Sequence, residues 1–357
     1  MVCFTRWFIL NNHLINKKIW RCIGYLSMKT SFFLDVCKYI CILWASFFIQ
    51  ASFAQSSSWP DRPVKIIVPF AVGGATDIAA RIIAPALSEQ LGQQFFVEIK
   101  AGAAGNIALE HVAQSAPDGY TILIGNVSTN SINEILYASK LKVKPSTSFK
   151  TVALVASIPN ILVSGPNFPP NNMKELVAYA KARPGELNFS SPLGGYSHLD
   201  MLDFNRRAGI SMVNVPSKGA GSSQTGLISG DIHFSIVNAA STTTLIKAGK
   251  LKAFATTSAN RLFSFPDLPT FTESGFGGVG SDQWNGLFVP AKTPPIIINK
   301  LHTALNQATQ KLQIKEAFTG AGMSILASLS QEEAQNFVNN EMQRWARIIK
   351  ENQVNLE

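Results

Sequence analysis

From residue 60 onward, short apolar runs alternate with longer stretches in which apolar positions recur every three or four residues, and small polar or glycine-rich segments separate them. The short runs at 64–68, 95–99, 120–125, 151–157, 161–163, 188–191, 212–215, 232–237, 251–256 and 283–290 read as strands. The first is β-branched except at Lys65, which suits a strand buried on both faces of a parallel sheet. The periodic stretches predict helices that end near Leu91, run over 107–115 and 172–182, start near Ser197, end near Ser229, stop at Gly249, and cover 295–311, 314–320 and 331–353. The last carries Phe337, Met342, Trp345, Ile348 and Ile349 at helical spacing, a core stripe.

The segments between runs repeat one chemistry. Pro69 ends the first strand, Gly73-Gly74 turns the chain, and Thr76 or Asp77 is expected to cap the next helix, which Pro85 should kink and Gly92 should end. The following strands run into 100–106 and 126–130, again rich in glycine, serine, threonine or asparagine. The second half behaves alike at 192–196, 216–221 and 238–242. Alternating strands and helices with such turns predict α/β sheets, doubly wound, with a site at the carboxyl ends of the strands. No repeat at a fixed period is apparent. Two α/β halves joined by two crossings predict a hinged pair of lobes: 59–157 plus 280–357, and 158–279. Trp284 is expected at the hinge.

The first 54 residues form a different pattern. Lys29 is followed by roughly ten apolar residues over 39–49 and by the small residues Ser52 and Ala54, the layout of a cleavable secretory signal. That reading makes 28–54 a signal peptide, Met28 the true start, and the mature protein periplasmic. The run is short against the about 20 apolar residues that a spanning helix needs. All four cysteines (3, 22, 37 and 41) precede the expected cut, which excludes disulfides and thiolate chemistry from the mature chain. The leader also holds six basic residues against Asp35, so the formal net charge falls from +9 to +4 when it leaves. The remaining excess is mild and dispersed, which argues against nucleic acid as a partner.

Catalytic motifs are missing. His111, His198, His233 and His302 show no zinc-ligand spacing, there is no G-x-S-x-G elbow, and no Walker lysine follows Gly73-Gly74. Neither an enzyme, a metal nor a cofactor is therefore expected. What the first turn does offer is a row of unpaired backbone N–H groups at a helix start, a place for an anion.

The motifs Val68-Pro69-Phe70 through Gly73-Gly74 to Asp77, Gly105-Asn106-Ile107, Ala116 to Thr121, Pro184 to Phe189, Val215-Pro216 with Lys218-Gly219, Ile246 to Leu251 and Pro266 to Thr270 follow in order. Together they closely resemble the Bug (Bordetella uptake gene) family, the TctC-like periplasmic solute receptors of tripartite tricarboxylate transporters. The resemblance covers nearly all of 59–355. It implies a type II periplasmic-binding-protein fold, no catalysis, and a small carboxylate or related amide ligand passed to a membrane permease; the alternative is a sensor that signals to a membrane kinase. A monomer is expected. The candidate ligand-binding residues of the first lobe are Phe70, Val72, Gly73, Gly74, Asp77, Asn126, Ser128 and Asn130. Those of the second are Asn160, Ser190, Ser191, Gly194, Tyr196, Ser197, His198, Lys218, Gly219 and Asn238. A carboxylate would repel an anionic ligand, so Asp77 is expected to order its loop or to meet an amine or a water. Ser217 stands where many relatives carry tyrosine, which leaves the ligand's identity open.

Overall fold

The structure, a computed structural model, describes residues 59–217, 220–327 and 329–356. The chain divides into two compact units, Met1–Trp59 and Pro60–Glu357, and the second holds both sheets. The expected leader, 1–54, lies outside the described residues, as do Lys218 and Gly219.

The first half runs β1 (Val64–Val68), α1 (Ala75–Leu91), β2 (Phe95–Ile99), α2 (Asn106–Ala113), β3 (Thr121–Asn126) and β4 (Phe149–Ile158). Next come β5 (Asn160–Ser164), α3 (Met173–Lys181), β6 (Leu187–Ser191), α4 (Tyr196–Ala208), β7 (Met212–Pro216), α5 (Ala220–Ser229), β8 (Phe234–Asn238), α6 (Ala239–Lys247) and β9 (Lys252–Thr256). The chain closes with β10 (Gln283–Pro290), α7 (Pro295–Gln310), α8 (Leu312–Gly320), β11 (Ser324–Ile325) and α9 (Gln331–Glu351). These form two mixed sheets, ordered β11-β4-β10-β3-β1-β2 and β7-β6-β8-β5-β9, each flanked by helices. The expected strands and helices are present with ends shifted by a residue or two. The sequence pattern does not show the π-helical turn at Ser128–Ile132 or the short helical turns at Asn133–Leu136 and Pro145–Ser148.

One expectation needs correction. Neither Thr76 nor Asp77 caps α1; the N-cap is Gly74, with no side-chain bond to the helix start. Both side chains bond other groups instead, as described below.

Each sheet has its own core. In the first, Trp284 and Phe288 of β10 pack with Trp345, Ile348 and Ile349 of α9, and Phe337 and Met342 flank them. The indole N–H groups of Trp284 and Trp345 both donate to Glu341 Oε2 at 3.1 Å, which satisfies two buried donors with one carboxylate. Trp284, expected at the hinge, is thus buried within a lobe, although its strand partner Ser157 stands next to the crossing. The second core gathers Phe189, Phe204, Phe234, Phe254 and Phe271.

The chain crosses between sheets at Pro159, from β4 to β5, and returns over 257–282 to β10. Asp282 ties the two crossings together, accepting from Ser157 Oγ at 2.9 Å and Thr257 Oγ1 at 3.0 Å. Beside them Arg344 of α9 donates to Asp200 of α4 at 3.1 Å and to the Gly280 carbonyl at 3.0 Å. Burial pushes the Asp200 carboxyl up to about 7 against the opposing pull of Arg344.

Candidate functional site

The topology brings two loops to one cleft. In the first sheet β1 lies between β2 and β3, and in the second β6 lies between β7 and β8, so each strand feeds its helix at a switch point of strand order. The two loops share a backbone. Gly73 and Gly194 take φ of +83° and +72°, a left-handed turn that glycine adopts without strain. The N-caps Gly74 and Gly195 then adopt φ −72°, ψ 162° and φ −72°, ψ 163°. Their sequences align as Val72-Gly73-Gly74-Ala75-Thr76-Asp77-Ile78 and Leu193-Gly194-Gly195-Tyr196-Ser197-His198-Leu199. The two segments share the Gly-Gly pair and its backbone conformation, a local likeness rather than a repeat at a fixed period.

Neither helix start is capped by a side chain, so its first-turn amides have no partner within the helix. The fourth residue after each first glycine instead reaches back beneath the loop. Asp77 Oδ2 accepts the Gly73 amide at 2.8 Å, while Oδ1 accepts Arg81 Nε at 2.9 Å. His198 Nδ1 accepts the Gly194 amide at 3.2 Å, which places the ring proton on Nε2. The imidazole lies on Phe189, and burial lowers its pKa and keeps it neutral.

Both helix starts open into a cavity of about 390 Å³. Its buried floor is a pair of amide networks. Thr76 Oγ1 accepts from Asn126 Nδ2 at 3.3 Å and Asn285 Nδ2 at 2.9 Å, so its own proton is free to point elsewhere. In the second network Asn160 Oδ1 accepts from Asn238 Nδ2 at 2.7 Å and from the Tyr196 hydroxyl at 3.3 Å. Burial raises the Tyr196 pKa, so it remains a phenol. Gln283 Oε1 joins this network through Asn238 at 3.4 Å, and Gln283 and Asn285 share one face of β10. Among the described residues, no charged side chain lines the cavity.

Of the residues expected from sequence, Phe70, Gly74, Asn126, Ser128, Gly194, Tyr196, Ser197 and Asn238 line this cavity. Others stand behind it. Gly73, Asp77 and His198 form the loop supports just described, and Asn160 underlies the floor with its Nδ2 on the Ser281 carbonyl at 3.0 Å. Asn130 Oδ1 accepts from Thr129 Oγ1 at 2.7 Å. Ser190 Oγ accepts from Ser223 Oγ at 3.0 Å, and Ser191 Oγ donates to Asn214 Oδ1 at 2.8 Å. Val72 sits at a loop tip, 70% exposed and off the cavity wall. Lys218 and Gly219 lie outside the described residues.

The sequence reading missed Gln283, Asn133 and Tyr137 as wall residues, and likewise Thr76, Ser223 and Ser235. It searched strand ends, but β10 runs antiparallel to β3 and β4, so its beginning shares the cleft edge with their ends. The pairing Asn285↔Asn126 places it there. Asn133 and Tyr137 arrive through the helical turns after β3, for which the sequence carried no periodic signal. The asparagine at 285, two residues from Gln283 in an otherwise apolar strand, was the available clue.

Residues 79–354 match the model of the tripartite tricarboxylate transporter family receptor, TctC. The chain belongs to the TctC (Bug) family. It is 34% identical over 304 residues to protein BugT of Bordetella pertussis, covering 83% of this chain and 91% of that one. Among solved structures, an R. palustris protein with adipate is 32% identical with a TM-score of 0.75, covering 83% of this chain and 99% of that one. MatC from Rhodopseudomonas palustris with bound malate is 30% identical with a TM-score of 0.72, covering 82% and 100%. TctC family members are periplasmic solute receptors, a non-enzymatic kind of protein, and this chain has their two-lobed fold. No helix among the described residues is long and apolar enough to cross a membrane.

Proposed function

We propose that this TctC family member is an extracytoplasmic receptor that captures a small carboxylate, or a related amide, between its lobes and delivers it to a tripartite tricarboxylate-type permease. The observation that carries the reading is the pair of uncapped helix starts opening into one cavity with no charged wall residue described. Removing a carboxylate from water costs several kcal/mol unless its oxygens are satisfied. Hydrogen bonds to a charged group return about 1.5–3 kcal/mol each, and the helix starts add their dipoles. Four or five such bonds from first-turn amides and the Thr76, Ser128 and Ser197 hydroxyls offset the cost without a cation. A site with no fixed counter-charge also releases its ligand readily when the lobes part. The adipate and malate held by relatives support the carboxylate assignment. Export through the leader at 28–54 places the receptor in the periplasm. Calorimetric titration of the purified protein with small acids and their amides, followed by uptake assays with the co-expressed permease, tests the reading. Saturable binding and receptor-dependent uptake are expected; no binding by any acid or amide, with no ligand carried through purification, would sink it.

A further inference from the structure

Buried polar side chains and exposed apolar ones meet in this cavity, although the apolar Ile236 and Val237 also line its buried part. On the floor, Thr76 and Asn126 are buried and hydrogen-bonded, and both helix starts contribute unpartnered amides. The rim carries Phe70, Ala104, Tyr137, Pro192 and Leu193, with Leu193 53% exposed and Ala104 and Pro192 also open to solvent. The amide on that side, Asn133, already directs its N–H groups to the Ala104 carbonyl at 2.9 Å and Asn106 Oδ1 at 2.6 Å. Partly exposed residues of this lining include Ser128 and Tyr137, whose neutral hydroxyls suit a hydroxyl or keto substituent better than a second full charge.

Resting on the receptor reading above, we infer that the ligand is an amphiphilic monocarboxylate: one anionic head on the floor and an aliphatic or aromatic body against the rim. A second carboxylate among these residues would meet mostly apolar carbon, with no charged side chain among the described wall residues. An added methylene in the tail gains apolar burial instead, about two- to fourfold in affinity per group at a partly open rim.

The test is a titration of the purified protein with propionate, butanoate, hexanoate and adipate, the last two matching in length and differing in one end group. Affinity should climb along the monocarboxylate series, and hexanoate should bind at least about tenfold more tightly than adipate. Leu193→Ser, a neutral change, should weaken hexanoate at least about threefold more than it weakens propionate, since a short acid reaches less of the rim; equal losses for the two acids would overturn the inference. Adipate binding as tightly as hexanoate, or a flat monocarboxylate series, overturns the inference while leaving the receptor reading intact. Failure of every acid and amide to bind overturns both.

Discussion

The two loops that face each other across the cleft share one backbone and are held by different chemistry. In the first, a carboxylate accepts the Gly73 amide and is itself held by Arg81, a partner roughly half exposed. In the second, a neutral imidazole accepts the Gly194 amide while its ring rests on Phe189. The geometry demands only an acceptor four residues after the left-handed glycine, because side chains on a helix lean toward its N-terminus and cover the preceding turn. The environment then decides which acceptor is tolerable. The site of Asp77 supplies an ionic partner, whereas burial alone shifts His198 and no charged neighbour contributes to that shift. A charge is held where it is paired, and a neutral group serves where it is not.

The comparison can be broken most directly by exchange. His198→Asp places a carboxylate in a buried site with no described cation and should cost about 3 kcal/mol at neutral pH. Asp77→Asn keeps a carbonyl acceptor for Gly73, releases an exposed arginine, and should cost about 1 kcal/mol. Urea denaturation of the two variants measures both, and equal losses would remove the distinction. Gly74→Leu and Gly195→Leu come next. Both glycines have φ/ψ open to any residue; an added Cβ at Gly74 meets the Ala71 carbonyl at 3.4 Å, and one at Gly195 meets the Pro192 carbonyl at 3.2 Å and the Pro192 Cβ at 3.5 Å. Each variant should weaken ligand binding by about tenfold or more while shifting stability by about 1 kcal/mol or less. Loss in only one of them would mean that a single loop engages the ligand.

The smallest effect is the dependence on pH. The folded His198 pKa lies below its ordinary value of 6.5, so the unfolded chain binds the proton more readily. Its contribution is complete above pH 6.5 and is lost as pH falls through the lowered folded value, because burial disfavours the charged imidazolium. The loss is read from chemical denaturation across acid pH, as a fall in stability below pH 6.5. His198→Asn, with a neutral acceptor, should remove that component, and an unchanged acid profile in the variant would contradict the assignment.

Much of this arrangement was legible in the sequence, and for a physical reason. Strands, glycine turns and amphipathic helices are local features, and the local signal placed Gly74, Ser128, Gly194, Ser197 and Asn238 at the cleft. The same signal could not separate a residue facing the cavity from one supporting it. Asp77 and His198 sit in the first turn of their helices, next to cavity-lining residues in sequence and beneath the loop in space. Ser190 and Ser191 stand at a strand end yet bond inward to Ser223 and Asn214. Gln283 shows the opposite limit. Its place depends on β10 running against its neighbours, a long-range pairing that no stretch around residue 283 encodes.

The central claim is that both uncapped helix starts hold one anionic head group at the same time. Isothermal titration of hexanoate into the wild type, Gly74→Leu and Gly195→Leu proteins at neutral pH tests it most directly. The account predicts micromolar or tighter binding to the wild type and at least about a tenfold loss in each variant, with both variants folded. Wild-type affinity retained in either folded variant would contradict it.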